Sequence, residues 1–349
     1  MRLRALTLST ALVLTSALSA CSGDSGSDAK AQHQVVLVTH DSFSLPKPLI
    51  AQFEKSSGLK LVVRHNGDAG QLTNKLVLTK ADPLGDVAYG VDNTFASRAL
   101  SNGVFANYTP AHLPQGVGQW DVAGDHGTHL TPVDQGNVCV NIDTGWFTSH
   151  GVKPPATLDD LAAPAYKGLT VIPGAATSST GLAFLLATVA KYGDPGWKAY
   201  WTKLIANGAK LDDGWDQAYE VDFTQGGGKG TYPIVVSYDS SPAYTVKGDA
   251  TTTSSLPQTC FGQVEYAGVL AHAKNPTGAK KLIDFLVSHP VQAAIPESMY
   301  MFPAVPGTSL PADWAKYAEQ PSQPWTLPSA VIDEHRDTWL QQWSDITSR

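Results

Sequence analysis

The sequence has few cysteines, few methionines and no long apolar run beyond its first twenty residues. Its 349 residues include three cysteines and three methionines, and no later segment has the roughly 20 consecutive apolar residues that a membrane-spanning helix needs. It contains no Gly-x-Ser-x-Gly motif, and its glycine-rich stretch at 225–230 lacks the Gly-Lys-Ser/Thr ending of a phosphate-binding loop. We therefore expect a soluble body that is neither a serine hydrolase nor a P-loop protein.

Positive charge is also scarce. The sequence has 24 lysine and arginine residues against 31 aspartate and glutamate residues, which gives a net charge of −7. Without Arg2 and Arg4 of the N-terminal leader, 22 basic residues face 31 acidic ones, a net charge of −9. Proteins that bind nucleic acid carry basic patches that attract phosphates. We expect no nucleic-acid partner, whereas a cationic ligand is compatible with this charge.

The N-terminus is typical of a secretory leader. Two arginines precede a mostly apolar run from Ala5 to Ala17, and Leu18-Ser19-Ala20-Cys21 follows in the register of a bacterial lipobox. We predict a lipoprotein signal peptide over residues 1–20, with Cys21 as the lipid-bearing first residue of the mature protein. An ordinary signal peptide that happens to end near a cysteine is the alternative. The Ser/Gly/Asp-rich residues 21–34 are then a flexible tether.

Two cysteines remain in the body, Cys139 and Cys260. In an oxidising compartment an even number of cysteines suggests one disulfide. Two separate buried thiols are the alternative, because sequence alone does not show whether the two Cα atoms come close enough to be bridged.

The pattern between residues 35 and 100 indicates an α/β fold. Three short apolar runs, each followed by an amphipathic segment, are typical of a parallel sheet with helices packed against it. Ligands bind such sheets beyond the carboxyl ends of the strands. The polar tips at residues 40–42, 66–68 and 92–93 should therefore lie along one edge.

The body, about 315 residues, is long enough for two lobes. A strand at Val138–Ile142 is expected to leave the first lobe, and a strand at Val264–Val269 to return to it. We assign residues 35–135 plus about 265–349 to lobe 1 and residues 136–264 to lobe 2.

A hydroxyl-rich loop, Thr177-Ser178-Ser179-Thr180, opens an apolar helix after a predicted strand. The free backbone N–H groups at a helix N-terminus, together with side-chain hydroxyls, form a seat for an anion or a polar ligand group. A helix cap, which needs only one of these residues, is an equally good interpretation.

Aromatic residues concentrate between Gly214 and Tyr244. Six of these thirty-one residues are aromatic, about twice the 9% of the whole chain. Several stand at the ends of predicted elements, where side chains line clefts, and aromatic faces suit a flat or cationic small molecule. Tyr219 and Phe223, at helical spacing from Trp215, are instead predicted to pack in the core.

These segments resemble the thiamine-binding periplasmic protein family over nearly all of residues 35–349. The motifs that carry the resemblance are Asp41-Ser42-Phe43, Gly90-Val91-Asp92-Asn93, Thr177-Ser178-Ser179-Thr180-Gly181-Leu182, Gly214-Trp215-Asp216-Gln217-Ala218-Tyr219, Ser237-Tyr238 with Ser241-Pro242-Ala243-Tyr244, Gln263-Val264-Glu265 and Ala294-Ile295-Pro296. The pair Gly-Trp-x-x-Ala-Tyr and Ser-Tyr-x-x-Ser-Pro-Ala-Tyr, in this order, is the most specific of them.

The resemblance implies a type II periplasmic-binding-protein fold with the ligand in a cleft between two lobes. It also implies that thiamine or its phosphates contact His40, Asp92, Ser178, Ser179, Trp215, Tyr238, Tyr244 and Tyr300. Trp215, Tyr244 and Tyr300 would pack on the rings, and Asp92 would face the positive charge or the pyrimidine amine. The two serines would meet the phosphate or hydroxyl end. His40 and Tyr300 depart from the Tyr and Trp that are usual in the family.

Two other functions compete with this interpretation. Thiamine-degrading transferases resemble the fold, but they need a cleft cysteine activated by a base, and Cys139 or Cys260 would have to be a free thiol near a residue such as Glu265. Ferric iron capture could use tyrosines together with His40. His126 and His129 have no acidic or histidine partner nearby in a regular element, so we predict no metal site there.

The sequence thus predicts a monomeric, lipid-anchored, extracytoplasmic solute-binding protein without catalytic residues or a cofactor. Its expected partners are thiamine or a thiamine phosphate, the permease of an ABC transporter, and the membrane through the lipid on Cys21.

Overall fold

The computed structural model of the protein describes residues 33–348, so the predicted leader, the lipid site at Cys21 and most of the tether lie outside the described residues. The strands are β1 (Gln34–Thr39), β2 (Lys60–His65), β3 (Val87–Asp92), β4 (Thr131–Asp143), β5 (Thr170–Pro173), β6 (Lys210–Asp212), β7 (Ile234–Tyr238), β8 (Val246–Lys247), β9 (Ala250–Thr251), β10 (Thr253–Val269) and β11 (Phe302–Pro303).

The helices are α1 (Lys47–Ser57), α2 (Ala69–Leu78), α3 (Ala96–Ser101), α4 (Thr144–His150), α5 (Leu158–Leu161), α6 (Ser179–Ala206), α7 (Ser241–Tyr244), α8 (Pro276–Leu286), α9 (His289–Met299), α10 (Ala312–Tyr317) and α11 (Ser329–Thr347). A π-helix covers Gln217–Asp222, and short 3₁₀ helices cover Val117–Trp120 and Pro164–Tyr166. Within the described part of the chain, no helix is long and apolar enough to cross a membrane.

Most strands join one curled sheet, in the order β2-β1-β3-β10-β4-β7-β5-β6. The parallel strands β2, β1 and β3 form one end, as the strand-helix alternation predicts. The parallel pairs β7–β5 and β5–β6 form the other end. The long antiparallel strands β4 and β10 connect the two ends. The lobe boundaries predicted near residues 135 and 265 fall inside these two strands, and those boundaries stay a prediction.

Apolar side chains pack on both faces of the sheet. One cluster gathers α6 and α11 side chains such as Phe184, Trp201 and Trp343. A second gathers Phe53 of α1 and Ile283 of α8 against the β1–β3 strands. Each such fully buried side chain stabilises the fold by about 1.5–3 kcal/mol. Cys139 of β4 and Cys260 of β10 form a disulfide across the two connecting strands, with their Cα atoms 4.1 Å apart.

One strand begins earlier than expected, and one helix continues through a proline. The predicted strand from Val264 to Val269 is the second half of β10, which begins at Thr253. The pairing register of β10 shifts between Leu256 and Phe261, so the apolar alternation that identifies a strand is interrupted there. Helix α9 contains Pro296 and nevertheless continues to Met299. Ile295 and Pro296 are buried there, so packing against the core compensates for the missing backbone N–H.

Candidate ligand-binding site

A cavity of about 280 Å³ lies beyond the carboxyl ends of strands from both ends of the sheet. The loops after β1 and β2 contribute His40, Ser42 and Asp68, and the segment after β6 contributes Trp215. Tyr238 ends β7 and completes the floor. This is where α/β sheets bind ligands, because the strand-end loops converge there. The volume of the cavity is close to the lower limit of small-molecule pockets, about 300 Å³.

Trp215 forms one wall of the cavity. Its indole stacks on the Tyr219 ring, with centroids 4.9 Å apart and planes inclined by 11°. The indole Nε1–H donates a hydrogen bond to Ser237 Oγ at 2.8 Å, and the ring is tilted against Tyr238 at 6.3 Å. Tyr219 is buried, as its predicted core position requires, yet it also lines the cavity. The indole is therefore held as a rigid platform.

Tyr244 and Tyr300 form the mouth. Their rings meet edge to face, with centroids 4.8 Å apart. Tyr300 has a left-handed backbone, φ 53°, and its carbonyl accepts a hydrogen bond from Ser240 Oγ at 2.5 Å. Trp314 stacks behind the Tyr300 ring at 6.0 Å. Tyr244 remains 41% exposed, so this pair is the side from which a ligand can enter.

His40 and Glu265 form an ion pair at the deep end of the cavity, with Nε2 and Oε1 3.5 Å apart. Burial by itself lowers the pKa of His40, but the carboxylates of Glu265, Asp68 and Asp216 raise that pKa more, so it lies above the ordinary histidine value. Burial raises the pKa of Glu265, but the contacts with His40, together with hydrogen bonds from Asp134 and Tyr89, outweigh this and leave that pKa low. Gly90, at φ +95°, makes room for the imidazole, since a Cβ there would lie 2.1 Å from His40 Cδ2.

The cavity lining is acidic. Four carboxylates line it, from Asp68, Asp216, Glu220 and Glu265, and no lysine or arginine among residues 33–348 does so. Among residues 33–348, His40 is the one basic side chain in this lining. Aromatic faces together with surplus carboxylates favour an organic cation and disfavour an anion.

The family of bacterial extracellular solute-binding proteins matches residues 82–334. The chain belongs to this family. The thiamine-binding periplasmic protein of Brucella abortus is 31% identical over 335 residues, which cover 92% of this chain and 94% of that protein. The thiamine-binding periplasmic protein of Escherichia coli is 28% identical over 323 residues, which cover 90% and 94%. These relatives confirm the resemblance that the motifs indicate.

A solved periplasmic thiamin binding protein has the same fold as this solute-binding protein. The two superpose with a TM-score of 0.79 at 27% identity, over 90% of this chain and 96% of that one. The predicted α/β type II periplasmic-binding-protein fold is therefore confirmed.

The cavity of the solute-binding protein brings together six of the eight predicted ligand residues: His40, Ser179, Trp215, Tyr238, Tyr244 and Tyr300. Ser178 is not among its lining residues. It is fully buried at the N-cap of α6, where its Oγ lies 2.9 Å from Thr180 Oγ1. Thus, of the two serines, only Ser179 lies at the cavity surface.

Asp92 also lies outside the cavity lining of the solute-binding protein. Its Oδ1 accepts hydrogen bonds from the Thr94 backbone N–H at 2.9 Å, the Thr94 hydroxyl at 2.7 Å and the Phe95 N–H at 3.1 Å. The side chain thus holds the turn before α3 and is fully buried. Burial raises its pKa to about 7.

None of the four carboxylates that line the cavity, Asp68, Asp216, Glu220 and Glu265, was among the predicted ligand residues. Asp68 and Glu265 lie in segments that the sequence pattern singles out. Asp68 belongs to a strand tip that the sequence places at the ligand edge, and Glu265 belongs to one of the family motifs. The sequence therefore contained an indication that each of these two residues lies near the ligand. What the sequence does not show is that the strand order brings β2 and β10 to the same cavity.

Replacing Asp92 by asparagine is expected to stabilise the protein at high pH. The folded pKa of about 7 exceeds the ordinary value of 3.8, so the folded state holds a proton that the unfolded state loses. Stability from this group is fully present below pH 3.8 and is lost as the pH rises through about 7. An asparagine side chain does not titrate and avoids this loss. We expect roughly 2–4 kcal/mol in favour of the variant at about pH 8 and almost none at about pH 4.

Urea unfolding at both pH values measures this difference. The same variant should bind ligand within about twofold of the unsubstituted protein, because removing a group that touches nothing in the ligand changes affinity little. A large loss of affinity would place Asp92 in the site after all.

Proposed function

We propose that this protein captures thiamine outside the cytoplasm and delivers it to the permease of an ABC transporter. The observation that carries the proposal is the cavity lining, in which five aromatic rings and four carboxylates occur with no lysine or arginine from residues 33–348. Thiamine is a permanently cationic molecule of two flat rings joined by a methylene group. Relatives named thiamine-binding periplasmic proteins, about 30% identical along nearly the whole chain, support the same ligand.

In the proposed complex the aromatic side chains hold the two rings. Trp215, backed by Tyr219, packs on one ring, and Tyr244 with Tyr300 covers the other from the mouth. Each contact between an aromatic face and the thiazolium contributes on the order of 0.5–2 kcal/mol. The surrounding carboxylates add attraction for the positive charge.

The His40–Glu265 pair is proposed to bind the aminopyrimidine. An amine donates hydrogen bonds and a ring nitrogen accepts them, so a carboxylate and an imidazolium on one surface match both groups. Tyr238 lies alongside, with its hydroxyl accepting from Gln263 Nε2 at 3.2 Å. Ser179 is then left for the hydroxyethyl arm at the start of α6, where the Asp68 carboxylate disfavours a phosphate on that arm.

The remaining parts of the proposal concern delivery. Residues 35–135 plus about 265–349 and residues 136–264 are proposed to act as two lobes that close over the ligand by a hinge, as periplasmic binding proteins do. β4 and β10, which run between the two ends of the sheet, would be the hinge strands. A lipid on Cys21 and the tether over residues 21–34 would keep the monomer near its permease.

The bonding state of the cysteines favours binding without catalysis. A thiamine-degrading transferase needs a thiolate in the cleft. Cys139 and Cys260 are joined in a disulfide, and Cys21 is proposed to carry lipid. No thiol between residues 33 and 348 is then left to act as the nucleophile.

Ferric iron is a weaker candidate for the same cavity. Burial raises the pKa of the Tyr238 phenol well above its ordinary value, and Glu265 adds to the effect. Without a metal ion the phenol therefore stays protonated, and a ferric ion would have to displace that proton. Among residues 33–348, no group of three or more His, Cys, Asp or Glu side chains is arranged to hold a metal ion.

Calorimetric titration with thiamine and with its two uncharged halves tests the proposal. These halves are 4-amino-5-hydroxymethyl-2-methylpyrimidine and 5-(2-hydroxyethyl)-4-methylthiazole. We expect one-to-one binding of thiamine and at least about 100-fold weaker binding of either half, since each lacks the cation and part of the ring area. Equal affinity for thiamine and the neutral thiazole would contradict recognition of the cation.

A further inference from the structure

We propose that Asp68 is a positioning residue that fixes Trp215 and ties the two edges of the cavity together, so that it sets how long a ligand stays bound. The set of hydrogen bonds from Ala69, Ser179 and Trp215 to its carboxylate is called the Asp68 bridge below. The part of this inference that concerns ligand residence rests on the proposed function, whereas the part that concerns the ligand-free shape does not.

The Asp68 bridge joins distant parts of the sheet. Asp68 follows β2, and Trp215 follows β6, the two strands at opposite ends of the strand order. Asp68 Oδ2 accepts a hydrogen bond from the Trp215 backbone N–H at 2.9 Å, across 147 positions of sequence. Because no backbone pairing connects β2 with β6, this side chain is a direct tie between the two edges.

The other oxygen of Asp68 lies between two helix N-termini. Oδ1 accepts from the Ala69 N–H of α2 at 2.6 Å and from the Ser179 N–H of α6 at 3.2 Å. Each helix N-terminus carries about half a positive charge, so the two would repel each other without a carboxylate between them. The negative charge of Asp68 therefore compensates this repulsion and stabilises the contact between the two helix N-termini.

The surrounding backbone shows that the two edges meet closely. The Gln71 N–H donates to the Thr177 carbonyl at 3.1 Å. Gly70 faces the same carbonyl, and a Cβ at this position would lie 2.7 Å from it. The start of α2 and the loop before α6 are thus in contact without intervening side chains, and Asp68 is the charged group at that contact.

Trp215 gains its position from this contact. Its backbone N–H is held by Asp68 and its indole N–H by Ser237. The first bond reaches across the cavity and exists only while the edges are together. Opening the cavity therefore releases the indole platform. Because weakened contacts act mainly on the dissociation rate, loss of the Asp68 bridge should speed ligand release more than it changes ligand entry.

Stopped-flow measurement of thiamine binding to Asp68→Ala and Asp68→Asn tests the proposal. For the alanine variant we expect dissociation to be at least about 10-fold faster and association to change less than about threefold, because weakened contacts act mainly on the dissociation rate. The asparagine variant keeps one acceptor oxygen for the α2 cap. Its dissociation rate should lie between those of the unsubstituted protein and the alanine variant. Unchanged dissociation in both variants would overturn the proposal.

Asp160→Ala is the matched control. This carboxylate also accepts backbone N–H groups, from Ala156 and Thr157 at 2.9 Å, and it caps α5 outside the cavity. It should leave both rate constants unchanged. A similar acceleration in the control would show that loss of any cap loosens the protein, and it would contradict a special role for Asp68.

Small-angle X-ray scattering without ligand separates this inference from the proposed function. Asp68→Ala should have a larger radius of gyration than the unsubstituted protein, whatever the natural ligand is. If the unsubstituted protein fails to bind thiamine, the proposed function is wrong but the scattering comparison still stands. Identical scattering curves would show that Asp68 does not hold the two edges of the cavity together, even if thiamine binds tightly.

Discussion

Replacing Trp215 by alanine is expected to weaken thiamine binding by roughly 30- to 1,000-fold, which corresponds to the 2–4 kcal/mol typical of a central aromatic contact. The indole supplies the largest flat face of the cavity. It is held on one side by Tyr219 and at its nitrogen by Ser237, so little freedom is lost when a ligand stacks on it. Alanine removes both the stacking surface and the attraction of the ring face for the cation.

The fold should survive this substitution. Trp215 is only partly buried, whereas Phe223, Val235 and Ala218 form the buried centre of the same apolar cluster. Calorimetry for affinity and a thermal melt for stability measure the two effects separately. Trp325→Ala is the control, since Trp325 is 37% exposed and does not line the cavity. The affinity of this control variant for thiamine should not change. A Trp215→Ala protein that still binds thiamine normally would contradict the proposed ligand pose.

Loss of the disulfide is expected to cost about 3–5 kcal/mol of the free energy of unfolding, because cross-linking a loop of more than about 100 residues restricts the unfolded chain strongly. Cys139 and Cys260 are 121 positions apart and join the two strands that connect the ends of the sheet. Both side chains are fully buried. Without the bond, the region proposed as the hinge would depend on strand pairing and packing alone.

Urea denaturation of the Cys139→Ala/Cys260→Ala variant measures this cost. The unsubstituted protein should show the same loss when a reductant is present, and the double variant should be insensitive to the reductant. That insensitivity is the internal control. Equal urea midpoints for the variant and the oxidised protein would mean that the bond contributes nothing to stability.

The parallel strands and the aromatic platform were predictable because local patterns encode them. Val35 to Val38 is a short apolar run of the kind that forms a buried strand, and the loops that follow β1 and β2 lie at the cavity as that pattern requires. Trp215 and Tyr238 stand at the ends of elements, and the structure places both at the cavity. For such residues, sequence position already determines the edge of the sheet on which they lie.

What escaped prediction depends on contacts between distant segments. The first half of β10 is hard to recognise because its register shifts before Phe261. Asp92 and Glu265 are paired neighbours on adjacent strands, yet only Glu265 reaches the cavity, whereas Asp92 caps a turn. The role of Asp68 appears only once β2 and β6 are known to be opposite edges of one sheet. Neither distinction is available from spacing along the chain.

The most direct test of the account is native mass spectrometry of the purified protein, freed of ligand by unfolding and refolding. It would be incubated with an equimolar mixture of thiamine, thiamine monophosphate, thiamine diphosphate and ferric citrate. We expect one bound thiamine-type ligand per monomer, released with its mass intact. An iron adduct instead, or recovery of the free pyrimidine half, would mean that the cavity binds metal or cleaves its ligand, and either result would contradict the central claim.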